Sequence, residues 1–547
     1  MKKLILILSL LSLTSNAQIL NHKQEFTRQD SLRGSNTVYR EWWNVKHYKV
    51  LVEPDYESKS IKGETVITFD VDKKRKTNRM QIDLQEPMQI VSVQLNGSKI
   101  EKVEREGNVY FIDVENNPKS KNNKLKITYS GFPRVAKNAP WDGGWIFVKD
   151  EKGREWMSVA CQGLGASVWF PNKDFLGDEP EHGAELEIIV PNHLVGVGNG
   201  RLVSQVNKGD KTAYTWRVTN PINNYNIIPY IGKYVNFKDS YDGEKGVLDL
   251  DYYVMDYNLE KAKVQFEQAK QMLNSFEYWF GPYPFYEDSF KMIESPHLGM
   301  EHQSGIAYGN KFANGYLGQD RSNTGWGLKW DFIIIHEAGH EWFGNNITNK
   351  DVADMWIHEG FTSYSEALHT ESLFGKEAGS DYVIGTRAAI ENKKSLIGIY
   401  GVNQEGPGDI YSKGANVIHT LRTWLNDDVK FRQILRGLNK TFYHKTVTTK
   451  QIEDYLAKET GLDLTAFFNQ YLRSKDVPVL EIKKEGNSIL YRYYNVIDDF
   501  EMPLRLINHS LTLYPTKDWK ELSGGSFNSS FDIVIDPNYY VNTIVIK

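Results

Sequence analysis

Between about Val45 and Phe237, apolar residues tend to fall at every second position, and turn-forming residues break the runs. Residues 65–71, 88–95 and 186–190 alternate in this way, so each is expected to be a strand with one buried face. Asn96-Gly97 follows the second run and is a two-residue hairpin signal, since both residues tolerate positive φ. No long helical period interrupts this region. It is expected to be one large β domain ending near Ile231-Gly232-Lys233, with a loop at 241–246. The period then changes. Leu259, Ala262, Phe266, Ala269, Leu273, Phe276 and Phe280 recur three and four apart, which predicts one core-facing helix capped by Asn258 and stopped by Gly281-Pro282. Residues 295–302 read as a loop leading into a strand. Further helical runs are expected at 332–343, from Met355 through Tyr364, Leu368 and Leu373, from Tyr411 through Leu421, around 452–456 and at 467–472. Alternation returns after Pro478, at 489–493 and 533–535, and predicts a small β-sandwich up to Lys547. No internal repeat is found.

Composition adds bounds. A chain of 547 residues is too long for one core, so two to four domains are expected. Hydrophobic and charged contents of 40% and 25% are those of ordinary globular proteins. The net charge is −5 and no Lys/Arg block occurs, which argues against nucleic acid as a partner. The first residues form a leader: Lys2 and Lys3, an apolar run at 4–11, and a small-residue cleavage site at Ser15-Asn16-Ala17. The protein is therefore expected to be exported, periplasmic or secreted, with Gln18 as its mature start. No later run is long enough to span a membrane. Cys161 is the lone cysteine, expected as a buried small hydrophobe.

The chemistry concentrates at 333–359. His336 and His340 stand four apart with Glu337 beside the first, the pattern H-E-x-x-H. On a helix, four residues make about 400° of turn and about 6 Å of rise, so both imidazoles leave one face. That is half of a tetrahedral zinc site, and Glu359, eighteen residues on in a second apolar run, could complete the protein's share. One position would stay open for water. The flanking Phe332-Ile333-Ile334-Ile335 and Trp342-Phe343 place this helix in a core, where an unpartnered polar cluster is costly. The competing reading is a satisfied structural cluster. Glu337 is placed to act as general base. Glu366, seven residues after Glu359, is either an acceptor for a zinc-bound imidazole or a plain surface carboxylate. His358 points about 100° away from Glu359 and is not counted as a ligand.

These motifs, together with Gly299-Met300-Glu301 upstream, Phe280-Gly281-Pro282-Tyr283-Pro284, Trp342-Phe343-Gly344-Asn345, Tyr411-Ser412-Lys413-Gly414 and the Phe467-Phe468 helix, resemble the M1 family of zinc aminopeptidases. The resemblance implies a multidomain α+β fold: an N-terminal β saddle (18–237), a thermolysin-like, mainly helical catalytic domain (238–475) and the C-terminal β-sandwich (476–547), without the long C-terminal helical domain of many relatives. It implies one zinc ion, peptide substrates with a free N-terminus, and release of single residues. By position, Glu301 matches the carboxylate that binds the α-amine, Tyr411 the oxyanion-stabilising tyrosine, and Gln162, Gly299 and Met300 the lining of the first side-chain pocket. Taken alone, Glu301 would be a loop carboxylate and Tyr411 a packing residue. The chain departs from the pattern at Leu298, at His302 and His358, where asparagines are usual, and at Ala166-Ser167, where an arginine is common. An endopeptidase and a non-catalytic peptide-binding protein on the same scaffold are the competing functions.

Overall fold

The structure is a computed structural model and describes residues 25–71, 75–115, 118–486, 488–522 and 533–546. The expected leader lies outside these residues.

The alternating region folds as expected into sheets. Eight strands form the largest, in the order 201–207, 211–218, 184–191, 43–55, 60–71, 123–131, 89–95 and 98–99. Its central strand Trp43–Asp55 buries Val45, Tyr48, Val50 and Val52 on one face, with a bulge between Val45 and His47. Asn96 and Gly97 take φ of 52° and 87° at the predicted hairpin. A four-stranded and a three-stranded sheet complete this half. A short helix, α1 (Arg28–Gly34), precedes them behind a Thr27–Asp30 capping box.

The loop expected after this domain needs correcting. Tyr234–Gly243 pairs with Gly246–Met255 across a tight turn, so residues 241–246 are a hairpin and not an open loop. The hairpin belongs to a five-stranded sheet with Phe290–Glu294, Ile306–Tyr308 and Gly299–Met300. The change of sheet falls at Lys233, where the alternating domain was expected to end, four residues short of the 237 drawn for the β saddle. The predicted helix from Asn258 is also broken. α2 (Leu259–Gln265) stops at Phe266, and α3 (Gln268–Phe280) restarts after Glu267. Asn258 stands at the N-cap position of α2 as expected, but its side chain makes no capping bond; its amide donates to Glu294 at 2.8 Å. The apolar stripe survives because Phe266 still packs on Tyr252 and Tyr308.

α4 (Phe332–Gly339), α5 (Trp356–Phe374), α7 (Asp409–Leu425), α9 (Thr449–Thr460) and α10 (Thr465–Arg473) match expected helices. α6 (Lys376–Gly385) and α8 (Asp428–Thr441) were not anticipated. The last described residues form a four-stranded sheet and a two-stranded ladder. Leu480, Ile482, Tyr493 and Leu504 from this region share one apolar cluster with the helices. The N-terminal cluster likewise runs on into Tyr253, Ile293, Met300 and Ala307 of the five-stranded sheet, so the two halves meet across a continuous apolar seam. Among the described residues no helix is long and apolar enough to cross a membrane.

Candidate active site

α4 starts at Asp331, whose carboxylate accepts from the backbone N–H groups of Ile333 and Ile334. The same carboxylate is held by Gln265, Tyr308 and Asn310, each at 2.7 Å. α4 ends one residue before His340, but that residue keeps helical angles (φ −65°, ψ −18°), so both imidazoles leave one face as expected. Their Nε2 atoms are 3.4 Å apart. α5 brings Glu359 to the same point, its Oε2 lying 3.6 Å from His336 Nε2 and 3.4 Å from His340 Nε2. α5 and α7 cross at two glycines: a Cβ on Gly414 would lie 2.8 Å from the Gly360 Cα. That close approach lets Tyr411, in the first turn of α7, lay its ring against His336, with centroids 6.0 Å apart and planes 24° apart.

Around these four residues the remaining expected ones assemble. Glu366 accepts from His336 Nδ1 at 2.7 Å and from the Tyr382 hydroxyl at 2.6 Å, which excludes the surface-carboxylate reading. Glu301 accepts from Gln162 at 2.5 Å and from the Tyr225 hydroxyl at 3.0 Å. Glu301, Glu337 and His340 each offer an atom within 4.8 Å of the others. Gly299 and Met300 line the same cavity, of about 470 Å³. The glycine is needed there, because a Cβ would come within 2.8 Å of the Glu337 carboxylate. His302 and His358 are spoken for elsewhere: His302 Nδ1 pairs with the Tyr230 hydroxyl, and His358 Nε2 accepts from the Asn349 N–H. Cys161 is buried, as expected. Sequence reasoning missed Tyr225 and Tyr382. Tyr225 sits in a short 3₁₀ turn and Tyr382 on the unanticipated α6, and neither carries a motif.

Charge shows what the site favours. Four buried carboxylates, Glu301, Glu337, Glu359 and Glu366, surround two imidazoles. Burial alone would raise Glu359, but His340 and His336 overrule it and hold its carboxyl far below the usual range. Burial opposes charge on both histidines, yet Glu359 and Glu366 lift His336 well above its ordinary pKa, and Glu359 lifts His340. Positive charge is thus favoured at one point. Burial pushes Glu337 up to about 7, with Glu301 adding to the shift. Cleft burial, then Glu359 and Glu301, push the Tyr411 hydroxyl well above the phenol range, so it stays a donor.

The sequence profile described as "Peptidase M1 N-terminal domain" matches residues 44–225, and that of the "Peptidase family M1 domain" matches 264–471. The chain belongs to peptidase family M1. Among M1 relatives, "Probable aminopeptidase 1" of Sulfurisphaera tokodaii is 20% identical over 464 residues, 82% of this chain and 55% of that protein. "Aminopeptidase 2" of Candida albicans is 21% identical over 471 residues, 81% of this chain and 49% of that one. The chain thus spans about half the length of these two curated relatives. The crystal structure of an M1 zinc metallopeptidase mutant from Deinococcus radiodurans, bound to a Tyr-Ser-Ala substrate, superposes with a TM-score of 0.68 at 19% identity. The match covers 82% of this chain and 98% of that one.

Zinc is the cofactor of this M1 fold, and His336, His340 and Glu359 fit it. Two ligand atoms about 2.1 Å from a common centre at the tetrahedral angle are separated by about 3.4 Å, the spacing seen here. Glu359 Oε2 is buried and makes no hydrogen bond with the described residues, as a ligand oxygen would be. The carboxylate accepting from His336 Nδ1 fixes the tautomer that turns Nε2 toward the same point.

Proposed function

We propose that this protein is an exported zinc aminopeptidase that removes single residues from the free N-terminus of peptides. The observation that carries this reading is Glu301, a buried carboxylate fixed by two donors within 4.8 Å of His340 and Glu337. In a peptide the α-nitrogen and its own carbonyl carbon are roughly 2.5 Å apart. An ammonium held on Glu301 therefore presents the first carbonyl, and no later one, to the His336–His340–Glu359 cluster.

Zinc on those three residues would polarise the carbonyl and bring the pKa of a water to about 7. Glu337 takes the proton of the attacking water and passes it to the leaving amine, a task suited to a carboxyl pushed up to about 7. Tyr411 donates its hydroxyl to the oxygen on which negative charge develops. Gln162, Tyr225 and Glu301 orient the ammonium, and Gly299 and Met300 border the first side chain. Glu366 holds His336 in register. The described part of the region expected as a β-sandwich buttresses this arrangement through Tyr540. Tyr471 on α10 donates to the Tyr540 carbonyl at 2.8 Å, and the Tyr540 N–H donates to Thr420 on α7 at 2.9 Å.

The test is hydrolysis of aminoacyl-arylamides by purified protein, abolished by chelation and restored by zinc. An endopeptidase would instead cleave N-acetylated peptides and tolerate Glu301→Ala. A binding protein would hold zinc with no turnover on any substrate of a broad panel. Export is tested by N-terminal sequencing of protein recovered outside the cytoplasm, expected to begin at Gln18.

A further inference from the structure

The cavity has a second charged end. Arg321 lines it together with Tyr316, Phe332 and His336. Its guanidinium lies 4.9 Å from the Tyr316 ring centroid and 5.8 Å from that of Phe332. Phe332 in turn stacks on the His336 imidazole, centroids 5.1 Å apart and planes 15° apart. Those two steps place the guanidinium within about three residues of extended chain from the metal-binding histidine. Among the described residues Arg321 forms no ion pair and no hydrogen bond with a side chain or carbonyl. Its neighbour Asp320 is committed to the loop itself, accepting from the Ser322 N–H at 2.8 Å, the Ser322 hydroxyl at 2.7 Å and the Gly325 N–H at 2.5 Å. Gly327 closes against the same carboxylate, where a Cβ would come within 2.4 Å. The loop is thus braced from within, and its cation is left facing the cleft.

The two ends are opposite in sign. Glu301, with Gln162 and Tyr225, marks the wall beside His340. Arg321 marks the wall beside Phe332 and His336. A substrate with an ammonium at one end and a carboxylate at the other matches both. A planar guanidinium stacked on two rings keeps its edge free for a carboxylate and pairs with it through two parallel N–H donors.

We propose that Arg321 binds the C-terminal carboxylate of the substrate, so that the preferred substrates are di- and tripeptides with both termini free. This rests on the aminopeptidase reading above and narrows its substrate class. A peptide much longer than three residues cannot reach Arg321 with its C-terminus while its N-terminus sits on Glu301, and so gains nothing from it.

The experiment uses the zinc-loaded full chain and three substrates: trialanine, trialanine amide and alanyl-arylamide. Turnover of the arylamide tests the aminopeptidase reading by itself, since that substrate has no carboxylate. With that established, kcat/KM for trialanine is expected to exceed that for its amide by about tenfold or more, the worth of one charge-assisted pair. In Arg321→Met the ratio of acid to amide is expected to fall to about one, and in Arg321→Lys to an intermediate value, because a point charge lacks the fork. The loss is expected mainly in KM. Equal rates for acid and amide in the unmutated protein would overturn the proposal. So would an acid preference that persists in Arg321→Met.

Discussion

The strand Trp43–Asp55 and the helix α5 are both deeply buried, yet they bury different things. The strand hides Val45, Tyr48, Val50 and Val52 and leaves Lys49 and Asp55 outside. α5 hides His358, Glu359, Thr362, Ser365, Glu366, His369 and Thr370 along with its apolar residues. Burying apolar surface stabilises by roughly 25 cal/mol per Å², whereas each buried polar group costs free energy until it is partnered. The strand is therefore built to hold the β half together. The helical half spends part of its stability on holding carboxylates and imidazoles where chemistry needs them.

The comparison breaks most sharply at Glu337. Glu337→Gln keeps the shape of the site and is expected to lower kcat by about 10²–10⁴-fold, with the urea midpoint of the metal-free protein unchanged or raised, because a buried carboxylate is gone. In the β half the effects reverse. Ile67→Ala empties a fully buried position and is expected to cost about 2–5 kcal/mol of stability in urea titration, with kcat per folded molecule unaltered. Glu366→Ala frees His336 Nδ1 and is expected to weaken zinc binding by about 10–100-fold in chelator competition, a smaller effect than losing Glu337. The smallest effect concerns pH. Burial holds the His369 pKa at about 3, against about 6.5 in an unfolded chain. The unfolded state binds the extra proton between those values, so His369 lowers stability as pH falls below about 6.5, by up to about 1.4 kcal/mol per unit. In His369→Gln, the metal-free protein's stability is expected to fall less steeply between pH 6.5 and 4. An identical slope would remove His369 from the account.

This contrast also decides what could be read in advance. Alternation is a local property, so the strands around residues 67, 93 and 188 and the hairpin at Asn96-Gly97 were legible, as was the motif spacing that brings His336, His340 and Glu359 together. Tertiary demands hid the rest. The break at Phe266 leaves the apolar stripe intact and so gives no sign in the pattern. α6 follows α5 after Gly375 alone and has no side-chain cap, whereas α8 starts behind Asp427, whose carboxylate accepts from the Lys430 N–H, a local signal that sequence reasoning missed. Tyr225 and Tyr382 donate to carboxylates more than fifteen residues away in sequence, a relation that no local spacing encodes. The turn at 241–246 reads as an open loop in the sequence because pairing partners, not residue types, decide that the runs on either side of it form a hairpin.

Glu301, proposed above to anchor the substrate's ammonium, hangs from one half of the molecule, but the two groups that donate to it, Gln162 and Tyr225, come from the other. The gauge exists only while both halves are docked along their apolar seam. A fragment starting at Tyr234 could still collect the metal through His336, His340 and Glu359, yet its ruler would swing loose. Selection for cutting after the first residue would then fall on the joint between the halves as much as on the residues that do the cutting.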